Sequence, residues 1–272
     1  MSEWNAMTYE GKENILRVVR TEAERMFAMA DRPEAWHAPT PCTGWETRDV
    51  IAHIVDTTEG YFRGFDAARG AGTVPDPHGL AAMSRLANAG AGALRDIPQA
   101  ELMARLKSDF DKMQGILKPL TADEWTGFMV THPYMGPVPS FFYAAGQLMD
   151  YGVHSWDLRQ GSGKAHGLPG ETADLLVPFM FAIWQGTVRP DAVTEPFTIG
   201  IRVSTGHNAG DYRVSVSSEG LTYEQGEIES LPAYIEFDAG SLVLTAFGRG
   251  NFGTIRGDMD LAERYLNLFF RI

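Results

Sequence analysis

Two histidines and one aspartate have the types and spacing that could hold a metal ion. Asp150 and His154 stand four residues apart in a helical pattern, so their Cβ atoms should lie on one helix face, roughly 5 to 6 Å apart. His53 stands in another helical pattern, three residues after Val50 and one before Ile54, and should point toward or beside a buried stripe. Nitrogen and oxygen ligands on facing helices are how helical bundles build metal sites with an open coordination position. This donor set suits Zn²⁺, and it would also accept Ni²⁺, Co²⁺ or Fe²⁺.

Each of these residues also has an ordinary structural interpretation. A single histidine on an apolar helix face is more often a hydrogen-bonded core residue than a ligand, and this applies to His53. Asp150 and His154 could form a local hydrogen bond without any metal. The metal hypothesis therefore depends on whether the two helices bring all three side chains together.

Composition narrows the class of protein. The chain has 272 residues and a net charge of -12, without a run of Lys and Arg, which disfavours a nucleic-acid partner. Cys42 is its only cysteine, so it can form no internal disulfide and no thiolate-rich metal site. We see neither a secretion signal nor an apolar run of about 18 residues, and we expect a cytoplasmic protein without membrane spans, as a monomer or a homodimer.

Hydrophobic periodicity predicts the elements that would position these residues. Six segments have helical spacing of apolar residues: 8–30, 47–65, 80–95, 99–117, 141–160 and 171–187. Three later segments alternate apolar and polar residues as half-buried strands do: 197–203, 212–216 and 233–237. Helical patterns return over residues 240–247 and 261–270. We predict a multidomain α and α+β protein, with an up-down four-helix bundle over residues 1–190 and a small α+β domain over residues 191–272.

Three segments carry a family resemblance: PCTGWETRDVIAH at 41–53, DYGVHSWDL at 150–158 and AYIEFDAGSLVLTAFGR at 233–249. They resemble the mycothiol-dependent maleylpyruvate isomerase family. The resemblance implies a DinB-like metal-binding bundle followed by a sterol-carrier-like domain. It also implies that His53, Asp150 and His154 are the metal ligands. The family usually has Glu as the middle ligand, and Asp150 is one methylene shorter.

The resemblance further implies an isomerase or thiol S-transferase that uses mycothiol or a similar low-molecular-weight thiol. A bound metal, most simply Zn²⁺, would lower the pKa of that thiol, and the thiolate would attack a small electrophilic substrate. Arg249 would clamp a substrate anion or would be an ordinary surface arginine. His132 would carry a proton in the cleft or would be a loop histidine without such a role.

Other interpretations of the same residues are possible. Asp157 could accept a hydrogen bond beside the ligands, although a structural role in ending its helix is favoured, and Cys42 is expected to pack as a small hydrophobe. The whole protein could be a non-catalytic carrier that binds an apolar ligand in its second domain. A thiol-independent metal hydrolase is a third possibility.

Overall fold

A computed structural model describes residues 3–161 and 166–270 of the chain. The chain divides into two compact units between residues 167 and 168. The predicted seam at residues 190/191 lies one helix later than this division. The helix Gly170–Thr187 belongs to the second unit, because its aromatic side chains pack within that unit. The ring of Phe181 stacks on Tyr223, with centroids 4.6 Å apart.

The first unit is a helical bundle in which four long helices provide the core, as the sequence predicts. Its elements are α1 (Lys12–Ala30), α2 (Thr47–Ala68), α3 (Met83–Leu94), α4 (Gln99–Leu117), α5 (Ala122–Gly127), β1 (Met129–His132), β2 (Gly136–Pro139) and α6 (Phe141–Gly161). α1 packs against α6, and α2 packs against α4. Apolar side chains at helical spacing, such as Ile15 and Val19 on α1 and Ile51 and Val55 on α2, are fully buried.

One feature of the first unit was not predicted from the sequence. Residues 129–139 form a short antiparallel hairpin, in which His132 pairs with Gly136. Each strand has only four residues, and prolines at positions 137 and 139 hide the alternating pattern. Gly136 has a φ of +78°, a backbone conformation that favours glycine. The hairpin leads directly into α6, the helix that carries Asp150 and His154.

The second unit is an α+β domain with a mixed five-stranded sheet. Its elements are α7 (Gly170–Thr187), β3 (Phe197–Val203), β4 (Gly210–Ser217), β5 (Gly220–Gln225), β6 (Ala233–Phe237), α8 (Ala239–Ala246), β7 (Thr254–Gly257) and α9 (Met259–Leu266). The strand order is β5-β4-β3-β6-β7, with β3 and β6 parallel and the other neighbours antiparallel. The three predicted strands are confirmed. The two edge strands were missed, because most of their residues are polar or exposed and give no alternation.

Among the described residues, no helix is both long and apolar enough to cross a membrane.

Candidate metal centre

The three predicted ligands meet at one point in the helical unit. One ligand atom from each of His53, Asp150 and His154 lies within 4.8 Å of the other two. His53 Nε2 is 3.9 Å from Asp150 Oδ1, and the two imidazole centroids are 5.4 Å apart. Two atoms bound to one zinc ion at about 2.1 Å can be at most about 4.2 Å apart. The His53 and Asp150 atoms lie within this linear limit but farther apart than the separation of about 3.4 Å in a tetrahedral site, so a small movement of either side chain would let both bind one ion.

Two helices fix the positions of these side chains. Asp150 and His154 are four residues apart on α6, so the helical backbone sets their separation. His53 comes from α2, whose first turn is held by a hydrogen bond of 2.9 Å from the Glu46 backbone N–H to the Asp49 carboxylate.

Both histidines have a neighbour at their Nδ1 atoms. His154 Nδ1 lies 2.8 Å from Asp157 Oδ2, and Asp157 is fully buried. His53 Nδ1 lies 3.4 Å from Thr57 Oγ1. An acceptor on one ring nitrogen fixes the tautomer and leaves the other nitrogen for a metal ion, as is usual for histidine ligands. Asp157 therefore orients the His154 ring and does not only end its helix. Its spacing three residues after His154 was the only signal for this role in the sequence.

The centre contains a buried carboxylate that lacks full compensation, beside an imidazole that holds its proton tightly. Burial raises the pKa of Asp150 to about 6, an effect that His154 partly offsets. Asp150 Oδ2 is buried and has no hydrogen-bond partner among the described residues. Burial acts to lower the pKa of His154, but hydrogen bonds to Asp157 and Cys42 outweigh it and raise that pKa to about 10. A divalent cation would satisfy the orphan oxygen and compensate the buried carboxylate, so the residues present fit a metal ion.

Cys42 lies closer to this chemistry than the sequence suggested. Its Sγ atom donates a hydrogen bond of 3.3 Å to Asp157 Oδ2 and lies 4.0 Å from His154 Nδ1. Cys42, His154 and Asp157 form a second group whose ligand atoms lie within 4.8 Å of one another. The thiol is partly exposed and makes polar contacts, so the expectation that it packs as a small hydrophobe was wrong. Sequence spacing gives no hint of this contact, which joins residues far apart in the chain.

Trp45 covers one side of the centre. Its ring lies 5.3 Å from the ring of His53 and 6.4 Å from that of His154. The indole Nε1–H donates a hydrogen bond of 2.8 Å to Asn88 Oδ1 in α3. This bond holds the indole against the two histidines, so Trp45 forms a wall of the site.

The two other predicted site residues lie in different surroundings. His132 is only 4% exposed, and burial lowers its pKa to about 4. Its Nδ1 accepts a hydrogen bond of 3.2 Å from the backbone N–H of Tyr134, as a neutral imidazole can. Arg249 belongs to the second unit and follows α8, where its guanidinium donates to the carbonyl oxygen of Phe247 at 3.2 Å.

Comparison with known proteins agrees with the family resemblance found in the sequence. The structure is similar to a crystal structure of the mycothiol-dependent maleylpyruvate isomerase, with a TM-score of 0.61 and 14% sequence identity over 91% of this chain and 94% of that chain. A histidine-to-alanine mutant of that enzyme gives a TM-score of 0.62, with the same identity and coverage. The colibactin self-resistance protein ClbS in complex with a dsDNA matches 57% of this chain and 97% of that chain at 15% identity, with a TM-score of 0.47 that is too low to bear on function. No curated protein shows significant sequence similarity to the chain.

A family model described as the mycothiol maleylpyruvate isomerase N-terminal domain matches residues 16–159, which is more than half of the 272 residues. These residues include all three candidate metal ligands. The chain belongs to the mycothiol maleylpyruvate isomerase N-terminal domain family.

Proposed function

We propose that the protein is a metal-dependent isomerase or thiol S-transferase that acts on a small electrophilic substrate. Mycothiol or a similar low-molecular-weight thiol is the cosubstrate in this proposal. The observation that carries it is the convergence of two imidazoles and a carboxylate within 4.8 Å inside a helical bundle of this family. Family membership supports the thiol, and the metal site gives the thiol a place to react.

His53, Asp150 and His154 would hold the divalent metal, for which Zn²⁺ is the first choice given these ligands. When bound there, such a cation lowers the pKa of a thiol that reaches it and so increases the thiolate fraction at neutral pH. The thiolate would add to an unsaturated carbon of the substrate. Loss of the thiol after bond rotation gives an isomer, whereas retention of the thiol gives S-transfer.

The surrounding residues of the chain orient and shield this site. Asp157 keeps the proton on His154 Nδ1 and holds the imidazole plane. The Trp45 ring limits water access beside both histidines, which strengthens electrostatic interactions in the site. Arg249 belongs to the second unit, and the clamp role expected for it from the family resemblance stays a prediction.

The surroundings of His132 do not favour its predicted role as a proton carrier. A group whose pKa is about 4 is almost wholly unprotonated at neutral pH and is a poor proton donor there. Its ring lies 5.6 Å from Tyr61 and 6.0 Å from Tyr143, so it serves as part of an aromatic cluster.

Metal analysis and a thiol-dependence assay test the proposal together. We expect the purified protein to bind one equivalent of Zn²⁺ and to convert maleylpyruvate, or a member of a panel of small electrophiles, only when mycothiol is present. His154→Ala should lose both the metal and turnover. His78→Ala is the matched control, because His78 is an exposed histidine of the same unit and should keep both.

The two rival functions give different results in the same assays. A carrier would bind apolar ligands equally well with and without the His154→Ala substitution. A metal hydrolase would lose turnover in that variant, but its activity would not require the thiol. A protein that binds no Zn²⁺ under any of these conditions would contradict the proposed enzyme.

A further inference from the structure

Tyr61 places a hydroxyl group beside the helix that carries two of the candidate ligands. It lies on α2, eight residues after His53 on the same helix. A Cβ atom built on Gly146 of α6 would lie 3.2 Å from the Tyr61 hydroxyl oxygen. Gly146 is four residues before Asp150, which is about 6 Å along the helix axis. The absence of a side chain at Gly146 therefore lets the phenol come close to α6 one turn from the metal centre.

The hydroxyl of Tyr61 has no hydrogen-bond partner among the described residues, although most of the side chain is buried. The side chain is 6% exposed, and its ring lies 4.9 Å from Tyr143 and 5.6 Å from His132. No hydrogen bond joins the Tyr61 hydroxyl to a residue that the structure describes, and its oxygen is not among the fully buried side-chain atoms that lack a partner, so it keeps some exposure to solvent. Buried tyrosine hydroxyls usually have a partner, as Tyr143 does by donating to the Val130 carbonyl at 3.2 Å. Water can reach the Tyr61 hydroxyl, and a ligand bound in the same place can accept its hydrogen bond instead.

We propose that the Tyr61 hydroxyl donates a hydrogen bond to a carboxylate or carbonyl oxygen of the substrate bound at the metal centre. This inference rests on the proposed function, and it narrows the substrate class to small electrophiles that carry such an oxygen near the reacting carbon. A molecule held by the metal centre at one end would extend along α6 past Gly146 and meet the phenol. Tyr61 is then a substrate-positioning residue that selects for oxygen-bearing substrates.

The charge state of the phenol agrees with a donor role. Burial raises the pKa of Tyr61 well above its ordinary value of 10, and the nearby Asp150 carboxylate raises it further. The group is therefore a neutral O–H at physiological pH, which can donate to an oxygen but cannot act as a base.

Direct binding tests this role without requiring turnover. Maleate, a small unsaturated dicarboxylate, is titrated into the Zn²⁺-loaded protein, and binding is followed by calorimetry. Tyr61→Phe removes only the hydroxyl, and loss of a hydrogen bond to a charged oxygen should weaken binding roughly 10- to 100-fold. Tyr143→Phe is the matched control from the same aromatic cluster, and it should change maleate affinity less than about threefold, because its hydroxyl bonds to the backbone. Zinc content should be the same in all three proteins.

The outcomes separate this inference from the proposed function. Equal maleate affinity in wild type and Tyr61→Phe would overturn the role of Tyr61, as would wild-type protein that binds no maleate at all. Equal weakening in both variants would show that the aromatic cluster acts only through packing, which also overturns it. If maleate binding depends on Tyr61 but no electrophile is converted with mycothiol, the proposed reaction fails while the inference stands. In an active enzyme, Tyr61→Phe should raise the KM for the electrophile and leave the KM for the thiol unchanged.

Discussion

Replacing Asp157 by Asn should change how metal affinity depends on pH. The Asp157 carboxylate accepts from His154 Nδ1 at 2.8 Å and is a main cause of the raised His154 pKa of about 10. In the wild-type protein, His154 is therefore protonated at pH 7, and a metal ion must displace one proton to bind to it. Each unit of pH then changes apparent affinity tenfold, which is about 1.4 kcal/mol.

The magnitude of the effect follows from this single proton. Between pH 7 and 8.5 the apparent Zn²⁺ affinity of the wild type should rise about 30-fold, or about 2 kcal/mol. In Asp157→Asn the charged acceptor is gone, the His154 pKa falls, and the affinity should be nearly independent of pH in this range. At pH 8.5 the wild type should bind more tightly by roughly 10- to 100-fold, which is the usual effect of removing an outer partner of a histidine ligand. At pH 7 the difference should be much smaller, because protonation of His154 offsets the benefit of the carboxylate.

Competition with a chelator of known pH dependence measures these affinities. Asp109→Asn is the matched control, since Asp109 is a half-buried carboxylate of the same unit that makes no contact with either histidine in the centre. It should keep the wild-type slope. Parallel lines for wild type and Asp157→Asn across this pH range would refute the assignment of the proton to the His154–Asp157 pair.

Three further predictions concern the stability of the helical unit. The His132 pKa is about 4 in the folded protein and about 6.5 in the unfolded chain, so the unfolded state binds more protons between these pH values. The free energy of unfolding should therefore fall by about 2 to 3 kcal/mol as pH drops from 6.5 to 4. Urea titrations across this range should show that slope in the wild type and not in His132→Phe. Burial and Glu59 raise the pKa of Asp109 to about 6, so its ionisation opposes folding as pH rises from about 4 to 6. Asp109→Asn should therefore raise the free energy of unfolding at pH 7 by about 1 to 2 kcal/mol. An unchanged urea midpoint at pH 7 would contradict this expectation. A Cβ on Gly161 would lie 1.9 Å from the Pro39 carbonyl oxygen, so Gly161→Ala should destabilise by about 1 to 3 kcal/mol and lower the melting temperature, whereas Gly115→Ala, with open space around it, should not.

Local sequence pattern was enough to predict the helical bundle, and this pattern together with the family resemblance singled out the three candidate ligands. The spacing of Asp150 and His154 depends only on helix geometry, and the buried stripe of α2 gives the direction of His53. The three central strands were equally readable, because one of their faces is buried and the other is not. In each case the physical cause lies within a few neighbouring residues.

The features that were missed depend on contacts between distant parts of the chain. Cys42 reaches Asp157 across 115 positions, and Tyr61 reaches Gly146 only because α2 packs beside α6. The low pKa of His132 comes from burial, which no neighbouring residue in the sequence reveals. The residue types of a site can thus be predicted from the sequence, whereas their protonation states require the packed structure.

The distribution of the centre over two helices suggests which part of it is most sensitive to change. α6 alone supplies Asp150, His154 and Asp157, which stand at i, i+4 and i+7, so its backbone fixes two ligands and an outer partner relative to one another. His53 is brought in only by packing of α2 against α6, and no backbone connection sets its distance. A shift of α2 by 1 Å directly away from Asp150 would lengthen the 3.9 Å separation of His53 Nε2 and Asp150 Oδ1 beyond the reach of one ion at about 2.1 Å per bond. A Cβ on Gly146 would lie 3.2 Å from the Tyr61 hydroxyl, which a shift of a few tenths of an ångström relieves, so only a side chain much larger than alanine at Gly146 should displace α2 and reduce metal affinity.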